Sequence, residues 1–211
     1  FNLFYQMPFL KDFLINNTTK VILWKIIPGE LSEKHLNEDD KNLLKIRKGK
    51  NSKEYFLAVR KLLENEDPEL NIDYDLKGKP FLNNQKGISI SHSNEMVAIG
   101  ISNETHFGID IQCKTDKIFK IKSKFLSKKE SKFLGKTDNM EFLIKIWSAK
   151  ESIFKALGKE GVSFSNNLEI DTINDKDLFR TGYYKKDNIV IKFDLDFLFI
   201  EEYIICHAKK S

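Results

Sequence analysis

The sequence contains little cysteine, proline or glycine, with two cysteines, four prolines and ten glycines in 211 residues. Cys113 and Cys206 lie far apart and outside any CxxC or Cys/His cluster, which argues against a disulfide framework or a zinc site and indicates reduced thiols in a cytoplasmic protein. The longest apolar run, residues 96–101, is far shorter than the ~18 residues that span a bilayer. Residues 1–10 lack the pattern of a secretory signal. Also absent are a glycine-rich phosphate loop and the HExxH, GxSxG and EF-hand motifs.

The composition that remains is that of a globular protein. Hydrophobic residues make up 41% and charged residues 31%, with a mean hydropathy of -0.41, which argues against the disordered and fibrous classes. The length allows one large domain or two small ones. A net charge of +4 suits an anionic partner but is too small for a dedicated nucleic-acid binder. We therefore expect neither nucleic acid nor a membrane among the partners.

Hydrophobic periodicity predicts a long helix in each half of the chain. Over residues 51–64 apolar residues recur at helical spacing, with Asn51 at the N-cap and Asp67-Pro68 ending the helix. A second helix over residues 142–157 ends at Gly158.

Alternating apolar residues predict a β-hairpin over residues 87–102 and a strand over 107–111. Three further strands are predicted at 189–191, 197–200 and 203–205. Polar residues 103–106 separate an N-terminal subdomain, 1–104, from a C-terminal subdomain, 105–211. Each half has a long helix followed by strands, so the predicted fold class is α+β, and the order suggests a duplication.

Four charged residues form the strongest candidate for chemistry. Glu151 and Lys155 lie one turn apart on the predicted second helix, an arrangement that by itself is most often a solvated pair worth ~0.2–0.5 kcal/mol. Asp110, at the end of a predicted strand, is likewise no evidence of a functional site when it is considered by itself. Together with Lys150, however, these residues supply two carboxylates for a divalent cation, Mg²⁺ fitting best, and two lysines for phosphate oxygens.

Two other features have simpler interpretations when taken alone. His92 lies near the hairpin turn, where an isolated histidine is more often a structural hydrogen-bonding residue than a catalytic one. Gly78-Lys79-Pro80 predicts a turn that leaves Lys79 exposed.

Five segments resemble the phosphopantetheinyl transferases in their order and spacing, specifically the monomeric two-subdomain type that activates carrier proteins. The most specific of them is the glycine-x-aspartate of FGIDIQ followed about forty residues later by the lysine-glutamate helix. The segments are GKPFL at 78–82, SISHS at 89–93, FGIDIQ at 107–112, FLSKKE at 125–130 and WSAKESIFKALGKEG at 147–161.

The resemblance implies an enzyme of the holo-[acyl-carrier-protein] synthase type. It would transfer the phosphopantetheine arm of coenzyme A to a serine of an apo acyl or peptidyl carrier protein and release adenosine 3′,5′-bisphosphate. The implied fold is a pseudo-twofold duplication of two similar α+β subdomains, with coenzyme A and Mg²⁺ bound at their interface. The family also implies a monomer.

The same resemblance implies roles for individual residues. The metal ligands would be Asp110, Glu151 and Gln112, with Glu151 also helping to deprotonate the serine. The coenzyme A site would be formed by Lys79, Pro80, Ser91, His92, Lys150 and Lys155. Glu130 would have a supporting part.

Gln112 departs from the family pattern, since many members carry a carboxylate two residues after the aspartate. An amide oxygen can coordinate or orient a metal-bound water, but it brings no negative charge and cannot act as a base. We therefore expect weaker metal binding than in relatives that have the carboxylate.

Two other functions are compatible with parts of this pattern. The first is a catalytically weak coenzyme A or nucleotide-binding module, in which Gln112 marks an eroded site. The second is a metal-dependent nuclease, although no strong nucleic-acid surface is evident. Five lysines near the proposed site could dock an acidic carrier protein, but a charge run is more often a solvated face: Lys114, Lys117, Lys120, Lys122 and Lys124.

Overall fold

The computed structural model describes residues 10–49, 51–76, 78–135, 139–171 and 179–211. Within these ranges the chain forms eleven β-strands and five α-helices, and all strand pairs are antiparallel. This mixture of helices and antiparallel sheets agrees with the expected α+β class. The signal-sequence prediction falls mostly on residues 1–9, which lie outside the described residues. In the part of the chain that is described, no helix is long and apolar enough to cross a membrane.

A four-stranded sheet and two helices form the first part of the chain. The predicted helix over 51–64 and the predicted hairpin over 87–102 are both confirmed. The elements are β1 (Leu10–Ile15), β2 (Thr19–Lys25), α1 (Glu38–Lys45), α2 (Ser52–Glu66), β5 (Gly87–Ser93) and β6 (Met96–Ser102), and a two-stranded sheet of β3 (Ile72–Tyr74) and β4 (Pro80–Leu82) contacts β5. The four strands are arranged in the order β1-β2-β6-β5.

A five-stranded sheet and three helices follow. The elements are β7 (Phe107–Cys113), α3 (Lys117–Phe125), α4 (Lys128–Leu134), α5 (Met140–Leu157), β8 (Leu168–Ile170), β9 (Thr181–Lys186), β10 (Ile189–Ile200) and β11 (Tyr203–Lys210). The strands are arranged in the order β7-β11-β10-β9-β8. The predicted second helix, 142–157, is confirmed as α5.

The two sheets pack face to face, and the long helices cover their outer faces. Alternate residues of β6 therefore belong to different cores, since successive side chains of a strand point to opposite faces. Val97 and Ile99 pack with α2, whereas Met96 and Ala98 pack with residues of β7 and β11. On the other side of the second sheet, Ile204 and Cys206 pack with α5. This double coverage explains why β6 is buried along its whole length.

Three serines join the edge strands β5 and β7. The side-chain oxygens of Ser89, Ser91 and Ser93 accept hydrogen bonds from the backbone N–H groups of Ile109, Ile111 and Cys113, at 2.9, 3.2 and 2.9 Å. The three serines and the three N–H groups are each spaced two residues apart, so the side chains on one face of β5 lie opposite alternate N–H groups of β7. We call this set of three hydrogen bonds the serine seam.

Helix α5 lies very close to β7. The Asn139 side chain accepts hydrogen bonds from two N–H groups of the first turn, and Gly158 ends the helix in the left-handed conformation at φ 57°. At Gly108 the helix backbone is so near that an added Cβ would lie 2.2 Å from the Ser152 carbonyl oxygen. The absence of a side chain at residue 108 therefore allows this close packing.

Two details differ from the sequence predictions. The strands predicted at 189–191 and 197–200 are parts of one strand, β10, in which Phe193 and Leu195 are buried and the intervening acidic residues are more exposed. The strand continues through residues 192–196 because Lys192, Asp194 and Asp196 alternate with the buried Phe193 and Leu195, which keeps the two-residue period of a strand. Asn51 occupies the N-cap position of α2, but its side chain makes no capping hydrogen bond.

We expect Gly108→Ala to destabilise the protein by ~1–3 kcal/mol or more, because the new methyl group would collide with α5 backbone atoms that cannot move independently. Gly100→Ala is the matched control. Its Cβ would meet side-chain atoms of Ile109 and Phe107 at 3.0 and 3.1 Å, which can shift by a few tenths of an ångström. Urea unfolding of both variants measures the difference, and equal losses would contradict the close-packing argument.

Candidate active site

A cavity of about 630 Å³ lies between α2, β5 and the C-terminal end of α5. Its walls are formed by residues within 47–92 and within 107–160, so both parts of the chain contribute to it. Four of the residues predicted from sequence line it: Lys79, Pro80, His92 and Lys155. The other predicted residues lie beside this cavity or in the protein interior.

Asp110 lies beside the cavity on β7, with its side chain toward α5 and only 2% exposed. Its Oδ1 accepts hydrogen bonds from the Ser91 hydroxyl at 2.8 Å and from the Lys155 ammonium at 2.9 Å. Its Oδ2 accepts one from the Gln112 amide at 2.8 Å. These donors satisfy the hydrogen-bonding needs of a carboxylate that is almost removed from water.

Lys155 connects the Asp110 carboxylate to the cavity. Its Nζ donates to the Ile109 carbonyl oxygen and to Asp110 Oδ1, both at 2.9 Å, and its side chain is 26% exposed. An ammonium group has three N–H donors, so these two hydrogen bonds leave one for a ligand.

Glu151 lies one turn before Lys155 on α5 and is half-buried. Burial, and secondarily the charge of nearby Asp110, raise the pKa of Glu151 to about 7, although Lys155 acts in the opposite direction. The Glu151 carboxyl can therefore hold or release a proton near neutral pH. The sequence-predicted grouping of Asp110, Glu151 and Lys155 is present in the structure.

His92 stacks on Tyr55 of α2, with ring centroids 4.0 Å apart and planes inclined by 10°. Burial, followed by the positive charge of Lys155, lowers the pKa of His92. The imidazole is therefore largely neutral at physiological pH and can both donate and accept a hydrogen bond.

Lys79 crosses the C-terminal end of α5. The predicted turn is present, since the Gly78 N–H donates to the Asp75 carbonyl oxygen and Gly78 has φ 77°. The Lys79 Nζ lies 3.3 Å from where a Cβ on Gly158 would be, so a side chain at residue 158 would displace the ammonium group. Lys79 belongs to the first part of the chain, and at the wall of the cavity its side chain packs against Gly158 of the second part.

Lys150 does not line the cavity, and its expected role as a phosphate contact finds no support in its contacts. Its side chain is completely buried, and its Nζ donates to Glu130 Oε2 at 2.7 Å and to the carbonyl oxygens of Phe125 and Phe164. All three N–H donors are used inside the protein. Lys150 and Glu151 are neighbours on a helix and so point about 100° apart.

Glu130 has the supporting part that was expected of it. It forms a capping box with Ser127 at the start of α4, and its Oε1 accepts a hydrogen bond from the Ile170 N–H at 2.8 Å. The Lys150–Glu130 pair thereby ties α5, α4 and β8 together. Ser91, expected in the coenzyme A site, instead lies in the serine seam against Asp110.

Two arginines at the cavity were not singled out from the sequence. The guanidinium groups of Arg47 and Arg60 both lie against the Phe56 ring, 4.6 and 4.3 Å from its centroid. Arg60 pairs with Asp40, yet its second terminal nitrogen and Arg47 Nε are buried without a hydrogen-bond partner among the described residues. Arg60 shares the apolar face of α2 with Phe56 four residues earlier, which is the signal in the sequence that could have identified it.

A metal ion would find oxygen ligands beside the cavity, although the described ranges hold no group of three or more His, Cys, Asp or Glu side chains that could bind one. Asp110 and Glu151 supply two carboxylates, and Gln112 adds an amide. Mg²⁺ commonly takes only one or two carboxylates from a protein and completes its shell with water and phosphate oxygens, so this ligand set fits Mg²⁺.

We expect Lys150→Met to lower the free energy of unfolding by ~3–5 kcal/mol, because it leaves the buried Glu130 carboxylate without its cation. Lys129→Met is the matched control, since Lys129 pairs with Glu169 at the surface and should change stability by no more than ~1 kcal/mol. Chemical denaturation measures both. A weakened coenzyme A affinity in Lys150→Met without a loss of stability would restore the phosphate-contact role.

Comparison with known proteins agrees with the resemblance seen in the sequence. Residues 106–206 match the sequence model of the 4′-phosphopantetheinyl transferase superfamily. The 4′-phosphopantetheinyl transferase gsp of Aneurinibacillus migulanus is 34% identical to this chain over 113 residues, an alignment that covers 52% of this chain and 46% of that protein. The chain thus spans about half the length of the relative. The family match includes Asp110, Glu151 and Lys155, so the C-terminal part of the chain is similar to the 4′-phosphopantetheinyl transferase superfamily in the region that carries these residues.

Proposed function

We propose that the protein transfers the phosphopantetheine arm of coenzyme A to a serine hydroxyl of an apo acyl or peptidyl carrier protein, with Mg²⁺, and releases adenosine 3′,5′-bisphosphate. The observation that carries the proposal is the cavity of about 630 Å³, which has Lys155 in its wall and Asp110 bound to that lysine. We also propose holo-[acyl-carrier-protein] synthase as its subtype.

The cationic groups of the cavity suit the phosphates of coenzyme A. Lys155 has a free N–H donor, and Lys79 lies across the cavity wall at the end of α5. Arg47 and Arg60 add buried N–H groups that need an acceptor. His92 offers a neutral hydrogen-bonding ring between them, and Pro80 completes the wall.

Asp110 and Glu151 would hold Mg²⁺, and Gln112 would assist through its amide oxygen. When bound, Mg²⁺ supplies positive charge that stabilises the pyrophosphate oxygens during transfer. Asp110 is fixed by its hydrogen bonds, which makes it the firmer of the two carboxylate ligands.

The residues of the chain provide the remaining chemistry. Glu151, whose pKa is about 7, accepts the proton of the carrier serine directly or through a water. The serine oxygen attacks the β-phosphorus of coenzyme A, and the bond to the bridging oxygen breaks. Lys155 stabilises the negative charge that develops on the departing nucleotide phosphate, since it is already held in place by Ile109 and Asp110.

The architecture supports the expected arrangement of two subdomains. Residues 10–102 and 107–210 form separate sheets, each covered by one long helix, which supports a boundary between 1–104 and 105–211 and a pseudo-twofold relationship. The cavity between them supports an active site at their interface. We also propose that the protein acts as a monomer in the cytoplasm.

The carrier protein is proposed to dock on the lysine-rich helix α3. Lys117, Lys120 and Lys124 are exposed on or beside it, whereas Lys114 pairs with Glu141 at 3.0 Å. Carrier proteins are generally acidic around the modified serine, so the exposed lysines provide complementary charge.

The test is intact-mass spectrometry of an apo acyl carrier protein and an apo peptidyl carrier domain, each incubated with the protein, coenzyme A and Mg²⁺. We expect a mass gain of one phosphopantetheine that is abolished by a chelator and lowered by at least 10²-fold in Glu151→Ala, which loses the general base and a metal ligand. Glu33→Ala, at an exposed site outside the cavity, serves as the carboxylate control. Coenzyme A binding without transfer to either carrier would favour the binding-module alternative.

Gln112→Glu is expected to lower the Mg²⁺ concentration needed for half-maximal transfer, because it adds a carboxylate beside Asp110. In the present structure the Gln112 amide donates to Asp110 Oδ2 and so occupies a ligand oxygen. The half-saturating concentration of Mg²⁺ measures the effect, and Gln112→Ala is the control that removes the amide without adding charge. An unchanged Mg²⁺ requirement in Gln112→Glu would contradict the expected weakness of the native site.

A further inference from the structure

The middle serine of the serine seam differs from the other two. Ser89 and Ser93 each accept a hydrogen bond from a β7 N–H, and so does Ser91. Ser91 also donates its proton to Asp110 Oδ1 at 2.8 Å. Because a hydroxyl has one proton, and the Ile111 N–H already points at the Ser91 oxygen, this proton is directed to the carboxylate.

The three groups that donate to the Asp110 side chain differ in how firmly they are held. Lys155 and Gln112 are long side chains that are partly exposed beside the cavity, so a bound phosphate or cation can contact both of them. Ser91 is short, 6% exposed and attached to the opposite strand, β5. It is therefore the donor whose position is set by the packing of the two sheets and not by the ligand.

We propose that Ser91 is a positioning residue: it holds Asp110 in the orientation that binds the divalent cation, and it does so from the other subdomain. This inference rests on the proposed function. The contact between the two halves is in this way coupled to the geometry of the metal site. Removing the hydroxyl frees the Asp110 carboxylate to rotate toward Lys155 or Gln112, which lowers its affinity for the cation.

Ser91→Ala is compared with Ser93→Ala, which removes a seam hydrogen bond of the same kind but none to Asp110. Ser89→Ala, at a site buried as deeply as Ser91, measures the cost to stability of leaving one β7 N–H without its acceptor. Mg²⁺ is titrated by calorimetry into each protein saturated with coenzyme A. We expect roughly tenfold weaker Mg²⁺ binding in Ser91→Ala, the size usual when a group that orients a metal ligand is lost. We expect a change of less than about twofold in Ser93→Ala.

Ser91→Thr provides the rescue, since it keeps the hydroxyl and is well tolerated in a strand. It should restore Mg²⁺ binding, whereas an effect on packing alone would leave Ser91→Thr no better than Ser91→Ala. Equal Mg²⁺ affinities in wild type and folded Ser91→Ala, or equal losses in Ser91→Ala and Ser93→Ala, would overturn the positioning role while leaving the transfer activity standing. A wild-type protein that binds no Mg²⁺ would overturn the metal-dependent function itself, and the role of Ser91 with it.

Discussion

The N–H groups of β7 that face away from β11 must find acceptors inside the protein, and this requirement shapes the centre of the molecule. A buried N–H without a partner costs about 1–3 kcal/mol, so three such groups would be a large fraction of the stability of a small domain. The serine seam supplies the acceptors from side chains of β5. The two sheets are thereby joined without becoming one continuous ladder, and Asp110 lies at this junction.

Helix α5 depends on the same strand from the other side. Gly108 allows the helix backbone to approach β7, and the Ser148 hydroxyl donates to the Asp110 carbonyl oxygen at 3.2 Å. This proximity places Lys155 within hydrogen-bonding distance of Asp110 and brings Glu151 close enough for Asp110 to influence its pKa. The candidate site therefore depends on backbone packing, because α5 crosses β7 at Gly108, where the strand has no side chain to keep the helix away.

Local patterns predicted the helices over 51–64 and 142–157 and the hairpin over 87–102, because hydrophobic periodicity and capping residues act within a few residues of one another. The grouping of Asp110 with Glu151 and Lys155 was also predictable from motif spacing. The orientation of Lys150 was not, since its partner Glu130 lies on another helix and only packing shows which side of α5 turns inward. The same holds for Ser91, whose role depends on Asp110 of another strand.

The serine seam also determines how the two halves can respond to a ligand between them. Rotation about the Cβ–Oγ bond of a serine moves only the hydrogen, so each seam oxygen stays where its strand and its rotamer place it. A relative shift of the two sheets along this edge would therefore break the hydrogen bonds to Ile109, Ile111 and Cys113. The seam thus fixes the spacing of the two sheets at the edge of the cavity nearest Asp110.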